Sequence, residues 1–174
     1  KSNQDYVNNL RKILKTKNSI DLFVTNKQQI VGGDLLRLPL LANVSAKFSC
    51  LLQNILSSDG TSFVYSNLVR VGIEILEEIL CANGYTEYNN KEQYNQPTSR
   101  CAICNKIKKE HGGNCIFSQS TYFSFTGNSE AFDTNIKSEI INIFNNPANV
   151  DGKNIKCLLG SSVLSEGISL KNVK

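Results

Sequence analysis

From Ser45 onward the apolar residues recur at helical spacing. Phe48, Leu51, Leu52, Ile55 and Leu56 fall on one face behind a serine suited to cap the first turn, which predicts a helix. "SSDG" ends it, and "TSFVYS" follows as a short β-rich run that fits a buried strand. In "LVRVGIEILEEILCANGY" a second stripe of Val71, Ile75, Leu76, Ile79 and Leu80 faces inward while Glu74, Glu77 and Glu78 face water, with Gly84 as terminator. The pattern resumes at "YFSFTG", a candidate strand, and continues in a helix bearing Ile136, Ile140, Ile141 and Phe144 that stops before Pro147. A third strand, "IKCLLGS", then runs into a turn-like "SSVLSEGISL". Strands separated by helices of this length predict an α/β layer with parallel pairing and right-handed crossovers.

Two stretches stand apart from this pattern. Residues 1–44 predict an N-terminal arm or linker with a basic, weakly amphipathic helix around "YVNNLRKILKTK". Residues 86–118 open with a polar tract rich in Tyr, Asn and Gln and read as an insertion in a domain spanning 45–174. A length of 174 residues suits one domain with a small excursion. The chain contains no methionine, so Lys1 is not expected to be a natural start, and the reading is of a partial chain. No apolar run reaches the roughly 18 residues a membrane span needs, and no charged-then-apolar leader opens the sequence, so no membrane partner is expected. The net charge of +4 is compatible with a polyanionic partner without requiring one.

The cysteines change the picture more. Of the 6 in the chain, Cys50, Cys81 and Cys157 lie in periodic apolar segments, where a thiol is ordinarily buried. Cys101, Cys104 and Cys115 gather around His111, the single histidine, as C-x2-C-x6-H-x3-C. A two-residue gap lets one knuckle present both thiolates to a single Zn²⁺, and "HGGNC" supplies the second pair on a flexible turn. Four protein ligands leave no open position, so such a zinc is structural, and a reducing compartment is expected. A loop of free thiols is the bland alternative. A redox dithiol of Cys101 and Cys104 fits poorly, because such a pair opens a helix directly after a strand and here a polar tract precedes it. Lys106, Lys108 and Lys109 give the loop a basic surface, either a solvated charge run or a phosphate contact.

In an open parallel sheet, ligands gather at the carboxyl ends of the strands. That rule selects Tyr65 and Ser66 after the first strand, Thr126 and Gly127 after the second, and "GSSVLSEG" after the third. Small hydroxyl residues and glycines there can donate to phosphate oxygens, or can merely make turns.

"GTSFVYSNLVRVGIEILEEILCANGY" resembles the segment that opens the second RecA-like lobe of superfamily 2 helicases, and "IKCLLGSSVLSEGISLKNV" resembles motif V of that lobe. "FTG" and the helix before "FNNPANVDGKNIK" match the strand and helix between them. The nearest group is the helicase-like ATPases of nucleocytoplasmic large DNA viruses, which includes poxvirus nucleoside triphosphatase I and the small subunit of the poxvirus early transcription factor. The resemblance, over roughly residues 45–84 and 119–174, implies a three-layer RecA-like α/β lobe with a mostly parallel sheet, incomplete at its C-terminus.

It further implies nucleic-acid backbone contacts at Ser66, Thr126, Gly127 and Ser161, and a nucleotide cleft lined by Glu166, Gly167 and Ser169. Many relatives carry Asp where Ser169 stands, so that position keeps a hydrogen bond and loses a charge. ATP and Mg²⁺ would bind the full-length protein. A phosphate-cradling GxxxxGK[ST] loop and an acidic metal-holding strand are missing from these residues and belong to a first lobe, and the arginine motif would follow Lys174. The chain alone is therefore expected not to hydrolyse ATP. The implied partners are DNA or RNA backbone, the first lobe and viral transcription machinery, in the virion or the cytoplasm of an infected cell. The competing reading is a non-catalytic, zinc-stapled α/β module that binds nucleic acid or a protein subunit.

Overall fold

A computed structural model describes residues 23–24, 30–31, 33–113, 115–126, 134–164 and 168–174. The basic helix expected near the N-terminus lies outside them. The first described elements are a two-residue antiparallel pair, β1 (Phe23–Val24) and β2 (Ile30–Val31). The body is a four-stranded sheet of β3 (Ser62–Tyr65), β4 (Thr86–Glu87), β5 (Thr121–Phe125) and β6 (Cys157–Gly160), in the order β3-β6-β5-β4. Every pairing in it is parallel.

Helices cover both faces. Toward one side lie α1 (Leu41–Val44), α2 (Ala46–Ser57) and α3 (Glu74–Ala82), the last entered through a π-type turn at Val69–Ile73. Their buried Leu52, Ile55, Leu76, Ile79 and Leu80 pack with Tyr122, Cys157 and Leu159 of the sheet. The opposite face is covered by α4 (Thr134–Asn145), whose Ile140 and Phe144 pack with Phe123, Phe125 and Leu158. Alternate residues of β5 and β6 thus enter different cores, as a strand's two-residue side-chain period demands.

Local chemistry fixes the element ends. The Ser45 hydroxyl accepts the Phe48 N–H at 3.3 Å, capping α2 as its position suggested. Helix α3 ends on Gly84 at φ +90°, with the Tyr85 N–H on the Leu80 carbonyl and the Gly84 N–H on that of Cys81. This is the doubly bonded C-terminal turn that glycine permits. A Cβ at Gly84 would lie 2.5 Å from the Thr98 carbonyl, so the position is closed to side chains on two counts. At the end of α4, buried Asn149 donates to the carbonyls of Phe144 and Ile155 and accepts the N–H groups of Asn154 and Ile155. One side chain therefore ties the helix end to the entry of β6.

Several features depart from the sequence pattern, among them Val71, Cys50 and Cys81, each expected inside and each exposed. Thr86–Glu87, expected to begin the insertion, form the sheet's edge strand on β5. Glu77, expected to face water, lies against the sheet: burial pushes its carboxyl above the usual range, offset in part by a hydrogen bond with Ser124. Residues near the end of the presumed arm join the body: Leu41 is buried in the first core, and the Arg37 Nε donates to the Ala82 carbonyl at 3.1 Å.

Replacing Asn149 with Ala leaves buried donors and acceptors at both joined ends, with an expected loss of about 2–4 kcal/mol in denaturant unfolding. Burial pushes the thiol of Cys157, 0% exposed, up to about 12 from an ordinary 9. The unfolded chain then sheds this proton before the folded one, so stability falls as pH rises past 9, by about 1.4 kcal/mol per pH unit, in unfolding curves between pH 8 and 10.

Candidate functional site

The excursion between β4 and β5 is pinned to the body at its neck. Arg100 N–H donates to the Gly84 carbonyl and Ser120 N–H to the Arg100 carbonyl, while the Arg100 Nε reaches the Asn83 carbonyl at 2.8 Å. Beyond this neck Cys101 pairs with Gln119 in an antiparallel bridge, so the sulfur of Cys101 starts from a fixed, fully buried backbone. The chain then folds tightly. Asn105 N–H donates to the Cys101 carbonyl and Cys101 N–H to that of Lys106, with Asn105 at φ 59°. The left-handed turn at Asn105 suits an Asx residue and returns the chain over the two cysteines. Arg100 fastens it through a hydrogen bond from Nη1 to the Asn105 carbonyl.

This turn brings four ligand atoms together. Those of Cys101, Cys104, His111 and Cys115 all lie within 4.8 Å of one another. Cys101 and Cys115 sulfurs are 3.7 Å apart, and the His111 Nε2 is 3.3 Å from the Cys115 sulfur. A disulfide would need about 2.05 Å. Around a tetrahedral ion with ligand bonds of about 2.0–2.3 Å, sulfurs stand about 3.8 Å apart and sulfur and nitrogen about 3.6 Å. The four side chains can hold a metal ion.

The electrostatics favour a thiolate. Burial opposes ionisation of Cys101, yet N–H groups of Cys104, Ser118 and Ile103 and the Cys115 thiol donate to its sulfur and draw it down to about 6. Burial, followed by hydrogen bonding with Cys104 and Cys101, pushes the Cys115 thiol up to about 12. Outside the ligands, the Phe117 ring meets His111 edge to face at 5.4 Å, and the Lys108 ammonium lies 5.4 Å from the Phe117 centroid. The cysteine spacing flagged the ligands. The supporting roles of Arg100, Asn105 and Phe117 carried no such signal, because each depends on a partner distant in sequence or on the fold of the loop.

A second constellation lies at the carboxyl rim of the sheet. Tyr65 and Phe125 both pair with Gly160, so their successors Ser66, Thr126 and Ser161 emerge side by side. Ser66 N–H donates to the Gly160 carbonyl at 2.9 Å, and Ser161 N–H to that of Phe125 at 3.1 Å. Ser66, half-buried, accepts the Leu68 N–H at 3.1 Å and thereby starts the π-type turn, closed by Ile73 N–H on the Leu68 carbonyl. A Cβ at Gly72 would sit 2.6 Å from the Ser66 Oγ, so only glycine lets that turn close over the serine. Exposed Tyr65 and Leu68 flank it.

The other sequence candidates separate from this group. Ser161 is fully buried and its hydroxyl donates to the Phe125 carbonyl, so its side chain is spent on closing the sheet. Ser169 is exposed, and its carbonyl accepts from Asn145 at the C-terminal end of α4. Asn172, three residues on, is bonded to Thr61 at the start of β3. Ser169 therefore lies toward the amino ends of the strands, away from Ser66. Gly127, Glu166 and Gly167 lie outside the described residues.

No protein-family profile matches the chain. Individual proteins do. It is 34% identical over 171 residues to the "Putative ATP-dependent RNA helicase L377" of Acanthamoeba polyphaga mimivirus, covering 88% of this chain and 15% of that protein. It is 31% identical over 139 residues to the early transcription factor large subunit homolog of African swine fever virus, covering 77% and 12%. With the early transcription factor 70 kDa subunit of Melanoplus sanguinipes entomopoxvirus it shares 27% over 154 residues, covering 87% and 22%. The chain thus spans less than a quarter of the length of each of these relatives. The names of these relatives are those of a putative helicase and of early transcription factor subunits, all from large DNA viruses. The chain belongs to the superfamily 2 helicase-like proteins of nucleocytoplasmic large DNA viruses.

Proposed function

We propose that this chain forms most of the second RecA-like lobe of a viral helicase or translocase that couples ATP hydrolysis to movement along, or remodelling of, nucleic acid during viral transcription. The observation that carries this reading is the alignment of Ser66, Thr126 and Ser161 at one carboxyl rim of an all-parallel sheet. In open α/β sheets that rim is where phosphate-bearing ligands are met. Ser66 and Thr126 are assigned to the nucleic-acid backbone through their hydroxyl groups, and Ser161, its own hydroxyl spent on the Phe125 carbonyl, holds two strand ends side by side. Glu166 and Gly167 are assigned to the nucleotide side of the lobe on family resemblance, whereas Ser169, at the opposite end of the strands, is not. Contacts of this kind go to phosphate and sugar, so little base preference results.

Zn²⁺ is the metal this donor set suits best: three sulfurs and one imidazole nitrogen at tetrahedral spacing, with no place left for water. Such a site is structural. The excursion buries little apolar surface of its own, so the metal supplies folding free energy that a core would otherwise provide. The first lobe would carry the phosphate loop and the Mg²⁺ carboxylate, which act with the family's arginine to stabilise the transferred phosphoryl group.

Zinc analysis is expected to find one ion per chain. Cys104→Ser should abolish stoichiometric zinc and lower the thermal midpoint by about 5 °C or more. Unchanged stability in that variant, with a thiol-exchange activity lost, would instead assign the pair to redox chemistry. The full-length protein should hydrolyse ATP faster in the presence of single-stranded DNA or RNA, whereas this chain alone should not hydrolyse it. A full-length protein inert toward ATP with either nucleic acid would leave a zinc-stapled binding module as the function.

A further inference from the structure

A cleft of about 280 Å³ opens where the metal-bearing excursion rests against the β4 edge of the sheet, apart from the rim that carries Ser66. Its walls are aromatic: Tyr88, Tyr94 and Phe117 line it, all half-buried and drawn from the two ends of the excursion. Exposed Lys91 and Lys153 stand at its mouth, and Asn95 and Asn154 add side-chain amides. The aromatic walls are held in place. Tyr94 donates its hydroxyl to the Tyr88 carbonyl at 2.7 Å. Phe117 is braced by a T-shaped contact with His111, while the Lys108 ammonium sits over one face of the ring and bonds the Asn95 carbonyl at 3.1 Å. The Lys153 ammonium lies 3.2 Å from Asp151, in a pair exposed on both sides and therefore weak against a phosphate.

Rigid ring faces beside mobile ammonium groups make a recognisable chemistry. Rings offer a stacking surface to a planar base, ammonium groups offer a point charge to the phosphate next to it, and amides can meet a base edge. A paired base cannot present its face, so a duplex is excluded by geometry. We infer that this cleft is a second nucleic-acid site, which takes an unpaired base of a single strand against Phe117 and the two tyrosines while Lys91 and Lys153 hold the flanking phosphate. The inference rests on the nucleic-acid reading proposed above and locates a contact that the sheet rim does not provide. It also gives the metal centre a purpose beyond stapling: by fixing His111, the ion fixes one wall of the cleft.

The test uses the zinc-loaded protein and fluorescein-labelled oligo-U and oligo-dT of about 12 nucleotides, read by fluorescence anisotropy against a duplex of the same length. Phe117→Leu is expected to retain zinc and to weaken single-strand binding about tenfold, leaving duplex binding unchanged. Lys91→Ala with Lys153→Ala, both at exposed positions, should weaken it across sequences and lower the salt slope by about 2. Single-strand affinity unchanged in both variants, but reduced by Ser66→Tyr at the rim, would overturn the cleft and leave the helicase reading intact. Single strands and duplex bound equally, with Phe117→Leu neutral, would likewise assign binding to backbone charge alone. Failure of the unaltered protein to bind either strand would overturn both.

Discussion

Everything in this fold turns on the central strand, Cys157–Gly160. Buried along its whole length, it can satisfy its backbone N–H and C=O groups only by pairing on both sides, with β3 on one flank and β5 on the other. That double pairing fixes a shared register, and the shared register aligns the last residues of the strands. Ser66, Thr126 and Ser161 are neighbours because Tyr65 and Phe125 have no choice but to pair with Gly160. The rim is a by-product of an unsatisfied backbone being intolerable in a dry core.

The excursion solves a different problem. It leaves the sheet after β4 and returns to β5 with few large apolar side chains, so hydrophobic burial cannot order it. Backbone pairing at the neck and a converging set of thiols and imidazole take over that task. The knuckle at Cys101–Asn105 is already folded around one sulfur, which accepts N–H groups of its own turn. A bound metal ion would act on the same atoms as the backbone and would hold Phe117, which packs on His111, in a defined pose.

Much of the architecture was legible along the chain. Three strands follow from short β-rich runs and three long helices from a 3.6-residue period, and the serine at position 45 and the glycine at 84 punctuate the helices. The cysteine spacing was legible for the same local reason: a two-residue gap is a statement about one turn. What escaped was anything decided at a distance. Thr86–Glu87 is too short and polar to announce a strand, and becomes one because β5 offers an open edge. Glu77 looked like a water-facing residue on an amphipathic helix, but the sheet beneath it supplies Ser124. Ser161 and Ser169 both read as ligand contacts of one motif, one to the nucleic acid and one to the nucleotide, yet the first is consumed inside the sheet and the second lies by the far end of α4.

By itself, then, the sequence determined the element types, the parallel α/β layering, the four candidate metal ligands and the family, since each of these rests on spacing or residue chemistry within a few turns of chain. Only the tertiary structure decided which hydroxyls reach the surface, which strand forms the edge, and that Tyr88, Tyr94 and Phe117 enclose a single cleft. Those outcomes depend on where distant segments come to rest, and that is set by the packing of two cores against one sheet, which no local pattern encodes.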